Sequence, residues 1–286
     1  MQTEFRKMTD AEYFAIPGVY HSSYTSRLLK SPALFAAAEF KRSDAMDLGS
    51  YIHGLMSGDV ARFSAGPDLS GCVTKDGKPA ANPGATAEGK ALVAAFWAAN
   101  PDAIILSNDD FANGTACACS LRRAEEARGW VATYREMAAV WEGNVPSAVK
   151  FDALIVMADR IIGVDYKSHG KPLSNQGLSA AAADFCYASQ AAHYLDGIAA
   201  VQKAGLLPPL PVEFWIGWVS TVAPFDAWFQ RVGGEALTVG AADLAVAQSR
   251  WMVGIKTGNW PTAGELGLLD EELKLPRWKT GASEVF

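Results

Sequence analysis

The stretch that decides the fold is "KFDALIVMADRIIGVDYKS", residues 150–168. Two apolar runs meet at Ala158 and Asp159, the first opening with Asp152 and the second closing with Asp165. If only Ala158 and Asp159 form the turn, the runs make a hairpin in which Asp152 lies directly opposite Asp165. Lys167 then emerges on the same face, because strand side chains alternate with a period of two. A three-residue loop would instead send the two aspartates to opposite faces. Leu154, Val156, Ile161 and Gly163 share the aspartates' face, and Ala153, Ile155, Met157, Ile162 and Val164 make up the other. A hairpin apolar on both faces belongs inside a covered sheet.

Opposed carboxylates repel, and one of them has its pKa raised. A hard divalent cation such as Mg²⁺ removes that conflict, since it prefers carboxylate oxygen. The other reading is a strand-end ion pair between Asp165 and Lys167. Spacing alone leaves both open, because Asp-x-Lys recurs by chance.

Outward from the hairpin, the period-two pattern predicts strands over 134–143, 150–158, 160–168, 211–221 and 226–233. Helical patterns fall at 24–42 (interrupted near Pro32), 44–58, 86–100, 111–130, 179–205 and 236–258. Residues 66–88, rich in Gly, Pro, Lys and Asp, read as a loop. This order predicts one α/β domain: a central mixed sheet flanked by helices, with helical additions on the N-terminal side. Residues 1–18 read as a tail, 19–130 as a mostly helical part, and 131–286 as the sheet core with its helices.

Half of the 286 residues are hydrophobic, enough for a substantial core. The net charge of −6 lacks the basic footprint usual for nucleic-acid binding, although a local basic groove can sit on an acidic protein. Cys72, Cys117, Cys119 and Cys186 fit neither a zinc ribbon nor a disulfide framework, so reduced thiols are expected. The N-terminal residues carry no apolar leader segment, and no uncharged run is of membrane-spanning length. A soluble, cytoplasmic protein is the expectation.

An Asp on one strand and Asp-x-Lys on the next resembles the core of the PD-(D/E)XK nucleases. Further pieces carry the resemblance along residues 19–280. "LGSYIHGLM" (48–56) is similar to the G-x-x-x-H helix of the RecB-like and RecE-like branches, and "YASQAAHYLDG" (187–197) to their Q-x-x-x-Y helix. "VYHSSYTSRLLKSPALF" (19–35), "EMAAVWEG" (136–143), "TGNWP" (257–261) and "LKLPRW" (273–278) resemble stretches of the RecE-like, exonuclease VIII-type subgroup. The chain departs from that pattern at "KFD" and "STVAPF", and lacks the iron–sulfur cysteines of the RecB type.

The resemblance implies a restriction-endonuclease-like core and a Mg²⁺-dependent DNA exonuclease, with Mn²⁺ as a substitute metal. It makes Asp152, Asp165, the Tyr166 carbonyl and His53 the metal ligands, with Glu136 a weaker candidate for a second metal. Lys167 would orient or deprotonate the attacking water, and Gln190 and Tyr194 would border the site. It also implies linear duplex ends as substrate, phage-type recombination, a single-strand annealing protein as partner, and homo-oligomeric rings. Arg122, Arg123, Lys171, Lys274, Arg277 and Lys279 are candidate phosphate contacts, each of which also reads as a solvated surface charge. The nine tryptophans could stack on unpaired bases, but most read as core. An endonuclease with the same site, or a non-catalytic nuclease-fold binding module, remains the alternative.

Overall fold

The computed structural model describes residues 2–39 and 41–269. Its elements in chain order are β1 (Glu4–Lys7), α1 (Asp10–Phe14), β2 (Tyr20–His21), α2 (Thr25–Lys30), α3 (Pro32–Ala36), α4 (Asp44–Ser57), β3 (Phe63–Ala65), α5 (Ala87–Ala99), β4 (Ile104–Leu106) and α6 (Asn108–Glu126). There follow β5 (Tyr134–Glu142), β6 (Pro146–Val156), β7 (Ile161–His169), α7 (Asn175–Asp184), α8 (Tyr187–Lys203), β8 (Val212–Ser220), β9 (Ala227–Val232) and α9 (Gly234–Thr257). The main sheet runs β1-β5-β6-β7-β8-β9, with β2 paired to β6. Neighbours are antiparallel except β7–β8 and β2–β6, so the sheet is mixed and flanked by helices, as the pattern predicts.

The central hairpin pairs Ala153 with Val164 and Val156 with Ile161, and the Met157 amide bonds the Arg160 carbonyl. Ala158 and Asp159 alone therefore make the turn, and the register places Asp152 across from Asp165. Each face is covered. Ala153, Ile155, Ile162, Val164 and Tyr166 pack against α4 and α6. Phe151, Leu154 and Ile161 pack against α8.

Two elements differ from the sequence reading for a local reason. The helix expected over 179–205 is two helices, split at Cys186, which takes a left-handed φ of 57°. No Gly or Pro marks that break, so periodicity runs through it. Glu4–Lys7, within the stretch read as a tail, adds an edge strand beside β5. Four polar-rich residues carry too few periods to be read as a strand. All four cysteines are free, and among the described residues no helix is long and apolar enough to cross a membrane.

Helix α9 crosses α8 at Gly240. A Cβ there would lie 2.3 Å from the Ala188 carbonyl and 2.8 Å from the Ser189 nitrogen, both backbone atoms that cannot swing away. In an exposed helix Gly→Ala stabilises by about 1 kcal/mol. At position 240 the sign is expected to reverse, with a loss of about 1–3 kcal/mol from overpacking. Urea denaturation of Gly240→Ala checks this, and a stabilised variant would contradict the close crossing.

Candidate metal centre

The side chains of the site come from α4, β5, β6, β7 and α8. Helix α4 is capped by Ser43, whose hydroxyl accepts from the Met46 amide, and ends at Gly58 with φ of 85°. Leu48, Tyr51, Ile52 and Met56 bury one stripe of α4 against the sheet. Gly49 brings the helix down on β7, where an added Cβ would stand 3.6 Å from Ser168 Oγ. One turn further along the same face, His53 meets the place where β6 and β7 part. That is the physical content of the Gly-x-x-x-His spacing.

His53 uses both ring nitrogens. Nε2 donates to the Tyr166 carbonyl at 3.0 Å, and Nδ1 donates to Asp152 Oδ1 at 3.2 Å. Both partners are acceptors, so the ring carries two N–H groups and is an imidazolium. Burial works against that charge, but the Asp152 carboxylate outweighs it and pushes the His53 pKa up to about 9. The other Asp152 oxygen accepts from the Tyr166 amide at 2.7 Å. Burial would raise Asp152, yet His53, Lys167 and that amide together hold it below the usual carboxylate range.

Glu136 joins from β5. It lies across from Asp152, between the pairs Arg135–Ala153 and Met137–Phe151. Imidazole and carboxylate donors of His53, Glu136 and Asp152 all fall within 4.8 Å of one another. The strands deform to allow this. Val149 and Phe151 face α8, as does Leu154, so the alternation of β6 is reset at Asp152. On β5, Tyr134 and Ala139 likewise share the α8 side, and Glu136 between them has a left-handed φ of 55°. Such a conformation in a non-glycine residue costs roughly 1–3 kcal/mol and clusters at functional sites. Burial and the Asp152 charge push Glu136 up, against the Lys150 ammonium at 2.8 Å. Lys150 also bonds Asp10, which bonds Arg62.

Asp165 and Lys167 form a second group beside the first. Their charged atoms are 2.6 Å apart, and Lys167 sits 4.9 Å from the centre of the Tyr187 ring. Burial raises Asp165, Lys167 opposes it, and Asp152 adds to the rise. Burial depresses Lys167, but Asp165 and its neighbours more than restore it, so it stands above the ordinary lysine value. Gln190 of α8 donates to Asp165 Oδ1 at 3.1 Å and to the Tyr194 hydroxyl at 3.2 Å. The structure thus gathers all the named site residues where the β6–β7 pairing ends, beyond Ala153 and Val164. It puts Glu136, the weaker candidate, among the clustered donors, and turns the Asp165 carboxylate toward Lys167 and Gln190. The site is reachable: His53 keeps 30%, Glu136 25% and Asp152 12% of side-chain exposure.

The candidate phosphate contacts are dispersed. Arg122 donates to the Leu55 carbonyl and Arg123 to Ser120 Oγ at 3.0 Å, and both line a surface pocket of about 520 Å³ with Pro224 and Phe225. That open pocket includes none of the clustered donors. Lys171 is exposed and follows the end of β7. Lys274, Arg277, Lys279 and the "LKLPRW" stretch lie outside the described residues. Sequence reading missed Lys150, Arg135 and Glu125, which brace the site. Arg135 and Lys150 flank recognised acids by one and two residues, but only the β5–β6 register brings them together.

No protein-family model and no curated protein matches the sequence. The fold is similar to the crystal structure of a "Putative exonuclease" from Eubacterium rectale, with a TM-score of 0.56 and 13% identity over 96% of this chain and 98% of that one. A likeness at that identity establishes the fold. The oxygen-rich donor set independently fits a hard divalent cation.

Coordination by His53 requires the neutral ring, so below a pH of about 9 binding must displace its proton. Divalent-ion affinity is therefore expected to rise about tenfold per pH unit between pH 6.5 and 7.5. Mn²⁺ titration calorimetry at the two pH values checks this, and an unchanged affinity would contradict the shared role of His53.

Proposed function

We propose that this chain is a divalent-metal-dependent deoxyribonuclease that hydrolyses phosphodiester bonds at the ends of linear duplex DNA. The observation that carries the reading is the clustered imidazole and carboxylate donors beside a lysine–aspartate pair where β6 and β7 part. His53, Glu136 and Asp152 would hold the cation, with the Tyr166 carbonyl and Asp165 adjacent. A bound Mg²⁺ or Mn²⁺ polarises the phosphate and lowers the pKa of water.

The chain's own groups do the rest. Lys167 pairs with Asp165, which holds its ammonium above the ordinary lysine value and places it to donate hydrogen bonds. Its role is to orient the attacking water and to offset charge developing on phosphate oxygens. Gln190 holds Asp165 in place through its amide, and Tyr194 fixes Gln190 from one helical turn away.

The likeness to a "Putative exonuclease" across nearly the whole of both chains supports an exonuclease over an endonuclease with the same site. The RecE-type resemblance extends the proposal to phage-type recombination, where an annealing protein would take up the resected strand.

The test uses end-labelled linear duplex and closed circular duplex with Mg²⁺. We expect the linear form to shorten and the circle to survive. Asp152→Asn should lower the rate on the order of a thousandfold, equivalent to several kcal/mol of lost transition-state stabilisation. Undiminished hydrolysis by the variant, or none by the wild type, contradicts the proposal. Cutting of the circle converts it to an endonuclease.

A further inference from the structure

Beside the donor cluster, on the same α4–α6 face of the strands, lies a polar network whose side chains the proposed chemistry does not use. Glu125, in the last turn of α6, is 4% exposed, and Tyr166 is 1% exposed. The Tyr166 hydroxyl donates to Glu125 Oε1. Arg135 of β5 donates to the Tyr166 hydroxyl at 2.7 Å and to Glu125 Oε2 at 2.9 Å. An acid, a phenol and a guanidinium from three elements are closed into a ring. Desolvating such groups is costly unless each is satisfied. Nothing in hydrophobic packing calls for them there.

Their placement gives them a purpose. Tyr166 is the residue whose amide holds Asp152 and whose carbonyl holds His53. Its neighbours in the chain are Asp165 and Lys167. Arg135 is the residue before Glu136, the donor held in the left-handed conformation. Across the sheet Arg135 pairs with Ala153, the residue after Asp152. The network therefore grips the two outer strands of the three, each one residue away from the groups that face the site. Gly217 completes the seat of the Tyr166 ring, since a Cβ there would stand 2.9 Å from Tyr166 Cδ1.

We infer that Glu125, Tyr166 and Arg135 are positioning residues that set the spacing of the donor cluster by tying the backbones of β7 and β5 to α6. Their side chains touch neither substrate nor metal; only the backbone of Tyr166 faces the donor cluster. The inference rests on the metal-site reading proposed above, and it makes a claim about cation affinity that is separable from DNA hydrolysis. Groups that orient ligands from outside the coordination sphere typically contribute about 10–100-fold in metal affinity.

Tyr166→Phe is the informative variant. It keeps the ring and leaves the direct Arg135–Glu125 pair in place, so it removes the link to β7 and little else. Mn²⁺ affinity is measured by titration calorimetry, alongside the thermal midpoint and the kcat and KM for linear duplex. We expect Mn²⁺ binding weakened about tenfold or more, a midpoint within a few degrees of wild type, and a fall in kcat with KM for DNA unchanged. Wild-type Mn²⁺ affinity in the variant would overturn the inference, even if the midpoint dropped. If Tyr166→Phe does not fold, Glu125→Gln is read by the same two outcomes. A wild-type protein that binds Mn²⁺ but cleaves no DNA refutes the proposed function, while the affinity comparison still decides the inference. A wild type that binds no Mn²⁺ overturns both.

Discussion

The structure turns on a row of carboxylates that ought not to be stable. Glu136, Asp152 and Asp165 occupy successive positions across β5, β6 and β7. Side chains opposed across strands lie about 5 Å apart, and two unit charges at that distance repel by roughly 3 kcal/mol at an effective dielectric near 20. The protein answers with cations of its own. His53 bridges Asp152 and the Tyr166 carbonyl, Lys167 pairs with Asp165, and Lys150 pairs with Glu136. The His53 ring lies between an anionic oxygen and a carbonyl oxygen, both good partners for a hard cation.

That electrostatic problem explains features that packing alone leaves puzzling. The side-chain alternation of β5 and β6 is reset at the same cross-strand position, and Glu136 accepts an unfavourable backbone conformation. The reset lets the acids gather where β6 and β7 part while the residues on either side remain in the core. Rigidity comes from the α6 side, through Glu125, Tyr166 and Arg135. The N-terminal segment contributes as well, because Asp10 shares Lys150 with Glu136.

Much of this was legible in the sequence, for identifiable reasons. The hairpin was readable from two apolar runs meeting at Ala158 and Asp159, but strands apolar on both faces do not fix a register, and the two-residue turn the structure has was an assumption. His53 and Gln190 were placed by resemblance, and their contacts show why those spacings suit the geometry. Glu136 was harder to rank. Strand β6 starts at Pro146, four residues before the apolar pattern announces it, so the β5–β6 register that sets Glu136 against Asp152 was hidden. Glu125 and Arg135 were invisible because their link to Tyr166 joins residues far apart in the chain, and each alone reads as a surface charge. The break at Cys186 escaped for the opposite reason: the helical pattern continues through it without a breaker residue.

The central claim is that this carboxylate row exists to hold one divalent cation. Crystals soaked in Mn²⁺ and measured at the manganese absorption edge test it directly. The account predicts an anomalous peak about 2.0–2.6 Å from an Asp152 oxygen, with ligands drawn from His53, Glu136, Asp165 and the Tyr166 carbonyl. No peak there at saturating Mn²⁺, with His53 still bridging Asp152 and Tyr166, would contradict it.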